Sequence, residues 1–487
     1  MRFRVLLSVA LATTALAWAP TVTAQERTRA LSQNAVAQAA EQHPLVVAQF
    51  GGEENATRSA YVRNVGSRIA SQTNIAGGGS AFRITTLNSP VVNAFAVPGG
   101  YLYVTRQLLG LMNDEAELAS VLGHEAGHIA ARHSRERRNA NILSQVLAGL
   151  AGVVTGSGQI AQIAAQGAQM WTLSYSRSQE LESDELGVRY LAAAGYDPAA
   201  SPAFLASLGA WSDLESRLQG REGDQRAAPS WARTHPLSAE RVSRAAQEAQ
   251  QTGVAGQGQH NRDQYLAMID GMIFDDDPAQ GVIEGRDFIH PQLRLAFTAP
   301  QGFGIQNSTS AVAVIGNGGQ AQFSTAAYSG NLDAYIDQVF RSLSGGQGQL
   351  GYSRPQRTTI NGLNAAYSSA RAQTQQGVLD VGVIAYEFDS GHAYHFVTIT
   401  PAGSGAGPFS GMLESVRRIS AQEAAAVRPR ILRIVTVGAN DTIDSLAGRM
   451  AYPTYQRERF LVLNGLADDS GLRPGQKVKL VVYGNRS

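Results

Sequence analysis

The chain contains no cysteine. Disulfides, thiolate metal sites, thiol nucleophiles and lipid attachment through an N-terminal cysteine are therefore excluded. Lysine is almost as scarce, with only Lys477 and Lys479. The other basic groups are arginines without a basic run, and the formal net charge is +1. This argues against a nucleic-acid binder that relies on a strongly basic surface. Long apolar runs are also missing. Val5–Ala19 is broken by Ser8, Thr13 and Thr14 and is short for a spanning helix. Ile142–Trp171 is Gly/Ala-rich, but Gln145, Gln159, Gln162, Gln166 and Gln169 interrupt it. A lipid-buried helix would strand those amides, so no transmembrane helix is expected in the mature chain.

What is present begins with an export-type N-terminus. Arg2 and Arg4 precede the apolar run, and Val22-Thr23-Ala24 offers a small-residue cleavage site. Residues 1–24 read as a cleaved signal peptide. The remaining chain is long enough for several domains within its 487 residues. With 44% apolar and 16% charged residues it is a folded chain.

The pattern predicts a multidomain α+β protein. Residues 25–270 are mainly helical. Leu31–Glu41 and Ala56–Thr73 read as helices. Phe82–Leu87 and Asn93–Thr105 read as strands, the latter turning at Pro98-Gly99-Gly100. Asp114–Arg138 is expected as a long helix opened by Asp114 and Glu117 at capping-box spacing. A second helix is expected from about Arg177 to Ala194. Residues 283–420 alternate strand-like runs with Gly-rich turns and two helical segments, an α+β domain. Residues 430–483 form a third, small unit.

The chemistry concentrates in His124-Glu125-Ala126-Gly127-His128. Residues i and i+4 share a helix face, so both imidazoles reach one ion. Glu125 is offset by about 100° around the axis and can face the ion's water as general base without being a ligand. Gly123 and Gly127 cost the helix roughly 1 kcal/mol each and would admit a close neighbour. His133 reads as a stray histidine. A third ligand is expected from Glu180, Glu182 or Glu185 on the second helix. Glu180 and Asp184 share a face, so Glu180 can bind while Asp184 accepts a hydrogen bond from a ligand imidazole.

Taken together, four segments resemble the M48 family of zinc metallopeptidases: Val92–Gly100, His124–His128, Ser176–Asp184 and Ala194–Pro198. The resemblance implies a mainly helical zincin-type domain with a small edge-exposed sheet and one Zn2+ per chain. It also implies His124, His128 and Glu180 as ligands and Asp184 in support, with Ser183 a mild departure from the family pattern. Asn93, Ala94 and Phe95 would form the edge strand that binds an extended substrate. Thr234-His235-Pro236 resembles a histidine motif that follows the family's catalytic helices. His235 is expected either as a fourth ligand that closes the site or as a catalytic oxyanion stabiliser. Arg241, six residues on, is given no role.

Ile142–Trp171 is then read as a helical hairpin over the site. Residues 283–420 resemble PsbP/Mog1-like α/β domains; His290, His392 and His395 there are read as structural. Residues 430–483 resemble a LysM-like βααβ module, with Asn440 where glycine is usual. The chain resembles the soluble periplasmic branch of the family. That implies a periplasmic endopeptidase acting on unfolded or misassembled envelope proteins. Two alternatives stand beside it: a chaperone-like client binder with latent proteolysis, and a peptidoglycan-localised scaffold held through 430–483.

Overall fold

The computed structural model describes residues 28–133, 175–218, 231, 235–309, 311–344, 350–374, 377–467 and 471–485. The expected signal peptide and the hairpin at 142–171 lie outside these. Among the described residues, no helix is long and apolar enough to cross a membrane.

The N-terminal elements are mostly helical. α1 (Gln33–Gln49) and α2 (Ala56–Ala70) precede a sheet of β1 (Arg83–Leu87), β2 (Ala94–Val97) and β3 (Tyr101–Thr105). β3 is central, parallel to β1 and antiparallel to β2. The turn between β2 and β3 depends on its glycines. Gly99 and Gly100 have φ of 105° and 87°, and a Cβ on Gly99 would stand 2.6 Å from the Ala35 carbonyl oxygen.

β2 is the sheet edge, but only in its hydrogen bonding. Asn93, Ala94 and Phe95 are buried, so the edge is not exposed as the sequence suggested. The reason is packing on both faces. Ala94 joins the main core, while Phe95 stacks on Tyr103 and meets Phe50 beyond the end of α1.

Among the described residues, further helices follow β3. They are α3 (Arg106–Leu111), α4 (Glu115–Ala130), α5 (Arg177–Ala193), α6 (Ala200–Leu218) and α7 (Ala239–Gln251). α8 (Arg262–Ile269) leads out of this region. α4 is shorter than the run to Arg138 that periodicity suggested. It ends at Ala130, and Arg132 adopts a left-handed φ of 62° that turns the chain.

Residues 282–418 build two antiparallel sheets. One has seven strands in the order β10 (Gln356–Ile360), β11, β12, β13, β9 (Gly319–Thr325), β8 (Val312–Gly316) and β7 (Gly304–Asn307), the other four in the order β14 (Arg417–Arg418), β6 (Leu295–Thr298), β5 (Asp287–His290) and β4 (Val282–Glu284). Their longest members are β11 (Leu363–Thr374), β12 (Gly377–Asp389) and β13 (His392–Pro401). α9 (Leu332–Ser344) packs its apolar stripe on one face of the large sheet. Phe288, Leu295 and Phe297 of the small sheet pack with Phe323 and Phe396 in a separate core.

The last elements described are β15 (Arg430–Thr436), α10 (Ile443–Ala447), α11 (Gln456–Leu463) and β16 (Lys477–Tyr483). This strand–helix–helix–strand unit shares one apolar core with the N-terminal helices. Leu432, Leu446, Phe460 and Leu480 belong to the same cluster as Leu108, Tyr265 and Met272. The segment after α8 adds itself to β15. Gly271 N–H donates to Leu432 O, Leu432 N–H to Met272 O, and Phe274 N–H to Arg430 O, at 2.8–2.9 Å. Buried Lys479 donates to the carbonyls of Gly110, Leu111 and Met112 at the end of α3.

His395 of β13 behaves as a structural histidine. Its ring lies 2.9 Å from Tyr335 Oη and 3.1 Å from Ser324 Oγ, and burial pushes its pKa down to about 4. The unfolded ring takes a proton near the ordinary value of 6.5, whereas the folded ring resists it. Stability is therefore lost as pH falls from about 6.5 towards 4, and the effect levels off below that. Thermal unfolding across this window is expected to show a shallower acid-side fall in Tm for His395→Gln than for the parent. Parallel slopes would show that His395 does not contribute.

Candidate metal centre

α4 is set in place by its own start. The Asp114 side chain caps the Glu117 N–H at 2.9 Å, and Glu117 Oε2 accepts the Asn113 N–H at 2.7 Å. The two residues thus serve neighbouring donors and do not form a reciprocal box. All sixteen residues of α4 are buried. α5 starts with a true capping box, Ser176 and Gln179 satisfying each other's backbone.

The two helices touch through glycine. A Cβ on Gly187 would lie 3.1 Å from His124 N, and one on Gly123 would lie 3.3 Å from Gly187 Cα. A Cβ on Gly127 would lie 3.2 Å from the Ser183 carbonyl oxygen. The glycines read as helix-weakening in the sequence are where α5 comes closest to α4.

This closeness brings four donors together. The ligand atoms of His124, His128, Glu180 and His235 all lie within 4.8 Å of one another, and all four residues are buried. His124 Nε2 is 3.0 Å from His128 Nε2 and 3.5 Å from Glu180 Oε2. His128 Nε2 is 3.4 Å from Glu180 Oε1. His235 Nδ1 is 3.0 Å from Glu180 Oε1 and 3.2 Å from His124 Nε2. A tetrahedral ion with bonds of about 2.1 Å sets its donors roughly 3.4 Å apart, so the spacings match one mononuclear centre. The donors fit in chemistry as well, being imidazole nitrogen and carboxylate oxygen.

The surroundings hold these groups electrostatically. His124 Nδ1 lies 2.9 Å from Asp184 Oδ1. Arg241, fully buried, donates to both Asp184 oxygens at 2.7 and 2.8 Å and lies 2.8 Å from Glu180 Oε2. It also donates to Pro236 O, fixing the chain just after His235. Burial alone would raise the pKa of Glu180, but His235, His128 and His124 outweigh it and hold the group well below the usual carboxylate range. Asp184 is lowered too, since Arg241 and His124 outweigh its burial. Burial would lower His124, but the bond and charge of Asp184 raise it. His128 is driven well below its ordinary value by burial.

Glu125 is the exception. It is 0% exposed, and neither carboxyl oxygen has a hydrogen-bond partner among the described residues. Its Oε1 lies 3.5 Å from His235 Nε2, and burial raises its pKa. A buried carboxyl group left this way is poised for a water or a substrate group beside the donors.

Of the residues expected from sequence, Glu125, His124, His128, Glu180, Asp184 and His235 converge here. His235, expected as a fourth ligand or a catalytic oxyanion stabiliser, has its Nδ1 among the donors. Asn93, Ala94 and Phe95 lie at β2, which packs against α4 outside the donor cluster. Arg241 was passed over because arginine is abundant and only the docking of α7 brings it to Asp184. His133 is no stray histidine. It is 3% exposed, 2.8 Å from His128 and 3.1 Å from Glu182. Two aromatic rings were also missed. Tyr175 stacks on His128 at 3.6 Å and Trp231 on His235 at 5.4 Å.

A His-Glu-x-x-His helix crossed by a second helix that brings a carboxylate is the architecture of a metallopeptidase. Residues 56–249 match peptidase family M48, so the chain carries an M48 metallopeptidase domain. It is 30% identical over 201 residues to the beta-barrel assembly-enhancing protease of Yersinia pestis, covering 39% of each protein. It is 35% identical over 132 residues to the mitochondrial metalloendopeptidase OMA1 of Arabidopsis thaliana, covering 27% of this chain and 26% of that one. A human relative, metalloendopeptidase OMA1, is 29% identical over 171 residues, covering 33% of this chain and 30% of the relative. The shared part therefore spans well under half the length of each of these relatives.

The glycine contact yields a direct test. Gly187→Val forces side-chain carbon against the His124 backbone and should separate α4 from α5. Metal affinity, measured by chelator competition, is expected to fall at least about tenfold, with a lower Tm. Unchanged affinity would show that the close crossing does not set the donor spacing.

Proposed function

We propose that this chain is a zinc-dependent endopeptidase that cleaves unfolded or misassembled proteins of the cell envelope. The observation that carries this reading is Glu125, a fully buried carboxyl group with both oxygens unpartnered among the described residues, beside four converging donors. His124, His128 and Glu180 would hold the ion, which would supply Lewis acidity towards a water and the scissile carbonyl. Glu125 takes the proton from that water and returns it to the leaving amine. The burial that raises its proton affinity suits both transfers. Asp184, gripped by Arg241, accepts a hydrogen bond from His124 Nδ1–H and turns Nε2 inward. An extended client pairs with β2 at Asn93, Ala94 and Phe95, which requires the buried edge to be uncovered first.

A second reading follows from the fourth donor. With His235 Nδ1 in the cluster, four protein side chains would be available to a tetrahedral ion, which would leave no position for a water. In this state proteolysis is latent and the protein holds clients without cleaving them. Metal analysis with casein-type cleavage tests both readings. Glu125→Gln should lose at least about 100-fold in cleavage with near-normal metal content, and Glu180→Ala should lose the metal. His235→Ala should cleave faster than the parent if His235 closes the site and slower if it stabilises the oxyanion. Parent-like cleavage by Glu125→Gln would remove the general-base mechanism.

Export through residues 1–24 to the periplasm belongs to the same proposal. It is supported by the charged, apolar and small-residue order of that segment and by relatives named for beta-barrel assembly. Residues 430–483 are proposed as a LysM-like unit that holds the enzyme near peptidoglycan. The intact protein should then co-sediment with purified peptidoglycan; if it stays in the supernatant at every ionic strength, the anchoring role falls.

A further inference from the structure

α5 carries three acidic groups within five residues, Glu180, Glu182 and Asp184. Glu180 is a donor and Asp184 holds His124. Glu182 lies two residues from each, and residues so spaced do not share a helix face. It meets His133 instead, its Oε2 lying 3.1 Å from His133 Nε2. His133 is buried, and its Nδ1 faces His128 Nδ1 at 2.8 Å and Ser183 Oγ at 3.3 Å.

These distances place the protons. An ionised carboxylate only accepts, so the nitrogen facing Glu182, His133 Nε2, carries the hydrogen. In the neutral ring His133 Nδ1 is then bare and must accept. Two ring nitrogens 2.8 Å apart share one proton, so His128 Nδ1 donates it. The Ser183 hydroxyl, at 3.3 Å, is too long to be the main donor. His128 Nε2 is left bare, and it is the atom 3.0 Å from His124 Nε2 and 3.4 Å from Glu180 Oε1.

We infer that Glu182 and His133 form a relay that holds His128 in the tautomer and orientation that present its Nε2 to the ion. Both are positioning residues, doing for His128 what Arg241 and Asp184 do for His124. α5 thus gives one donor directly and orients both imidazoles of α4. Glu182 acts through His133 because its own helical position points it away from the donors. The inference rests on the metal-binding reading above.

Zinc affinity tests it, measured by titrating metal-free protein against a chromophoric chelator, with circular dichroism to confirm folding. His133→Ala removes the acceptor and is expected to bind zinc roughly 10- to 100-fold more weakly. His133→Asn places an amide oxygen near the position of Nδ1 and is expected to recover most of the parent affinity. Glu182→Ala should weaken binding several-fold in the parent but have no further effect in the His133→Asn background, since the amide does not transmit it. That non-additivity separates a relay from general packing, and it is read between variants that keep the acceptor. Parent-like affinity in His133→Ala, or an equal effect of Glu182→Ala in both backgrounds, overturns the relay while leaving the metal site intact. Failure of the parent itself to bind zinc overturns the metal reading, and the relay with it.

Discussion

The separation between α4 and α5 is the constraint on which the site depends. Gly123, Gly127 and Gly187 let backbone meet backbone, and no side chain spaces the helices apart. A carboxylate is short, so Glu180 meets both imidazoles of α4 only across such a gap. The helix-propensity cost of three glycines is thus repaid by tertiary geometry. The same proximity lets Asp184, one turn further along α5, reach the back of His124.

Charge explains why the arrangement holds as a unit. Glu125, Glu180 and Asp184 are each at most 4% exposed, and one guanidinium, Arg241, sits at 1% among them. Burying three carboxyl groups against a single cation leaves negative charge uncompensated unless one takes a proton or a dication joins them. Arg241 already engages Asp184 and Glu180, and Glu125 is the group left without a hydrogen-bond partner among the described residues. A divalent cation held by the donor set would balance that charge while Glu125 stays ionised.

The sequence was legible wherever function lies within one helix turn. His124, Glu125 and His128 could be read from spacing alone, and α5 ends within one residue of its expected limit. Glu180 was only partly legible, because helical geometry allowed Glu182 and Glu185 until the family resemblance chose among them. His133 was misread because its contact depends on the left-handed turn at Arg132, which returns the ring to His128 after the helix ends. Arg241 needed the docking of α7, a contact between segments 57 residues apart. The burial of β2 was also hidden. An alternating strand looks the same at an open edge as at one covered on both faces.

The pairing of residues 271–274 with β15 has a consequence for how the molecule is made. Leu432, Phe460 and Leu480 complete a core whose other half is laid down hundreds of residues earlier, and Lys479 satisfies carbonyls just ahead of α4. During synthesis the first half of the chain has no access to these partners. A chain built this way reaches its finished interior only after β16 has emerged, so synthesis of that strand precedes full assembly of the core that carries the donor helices.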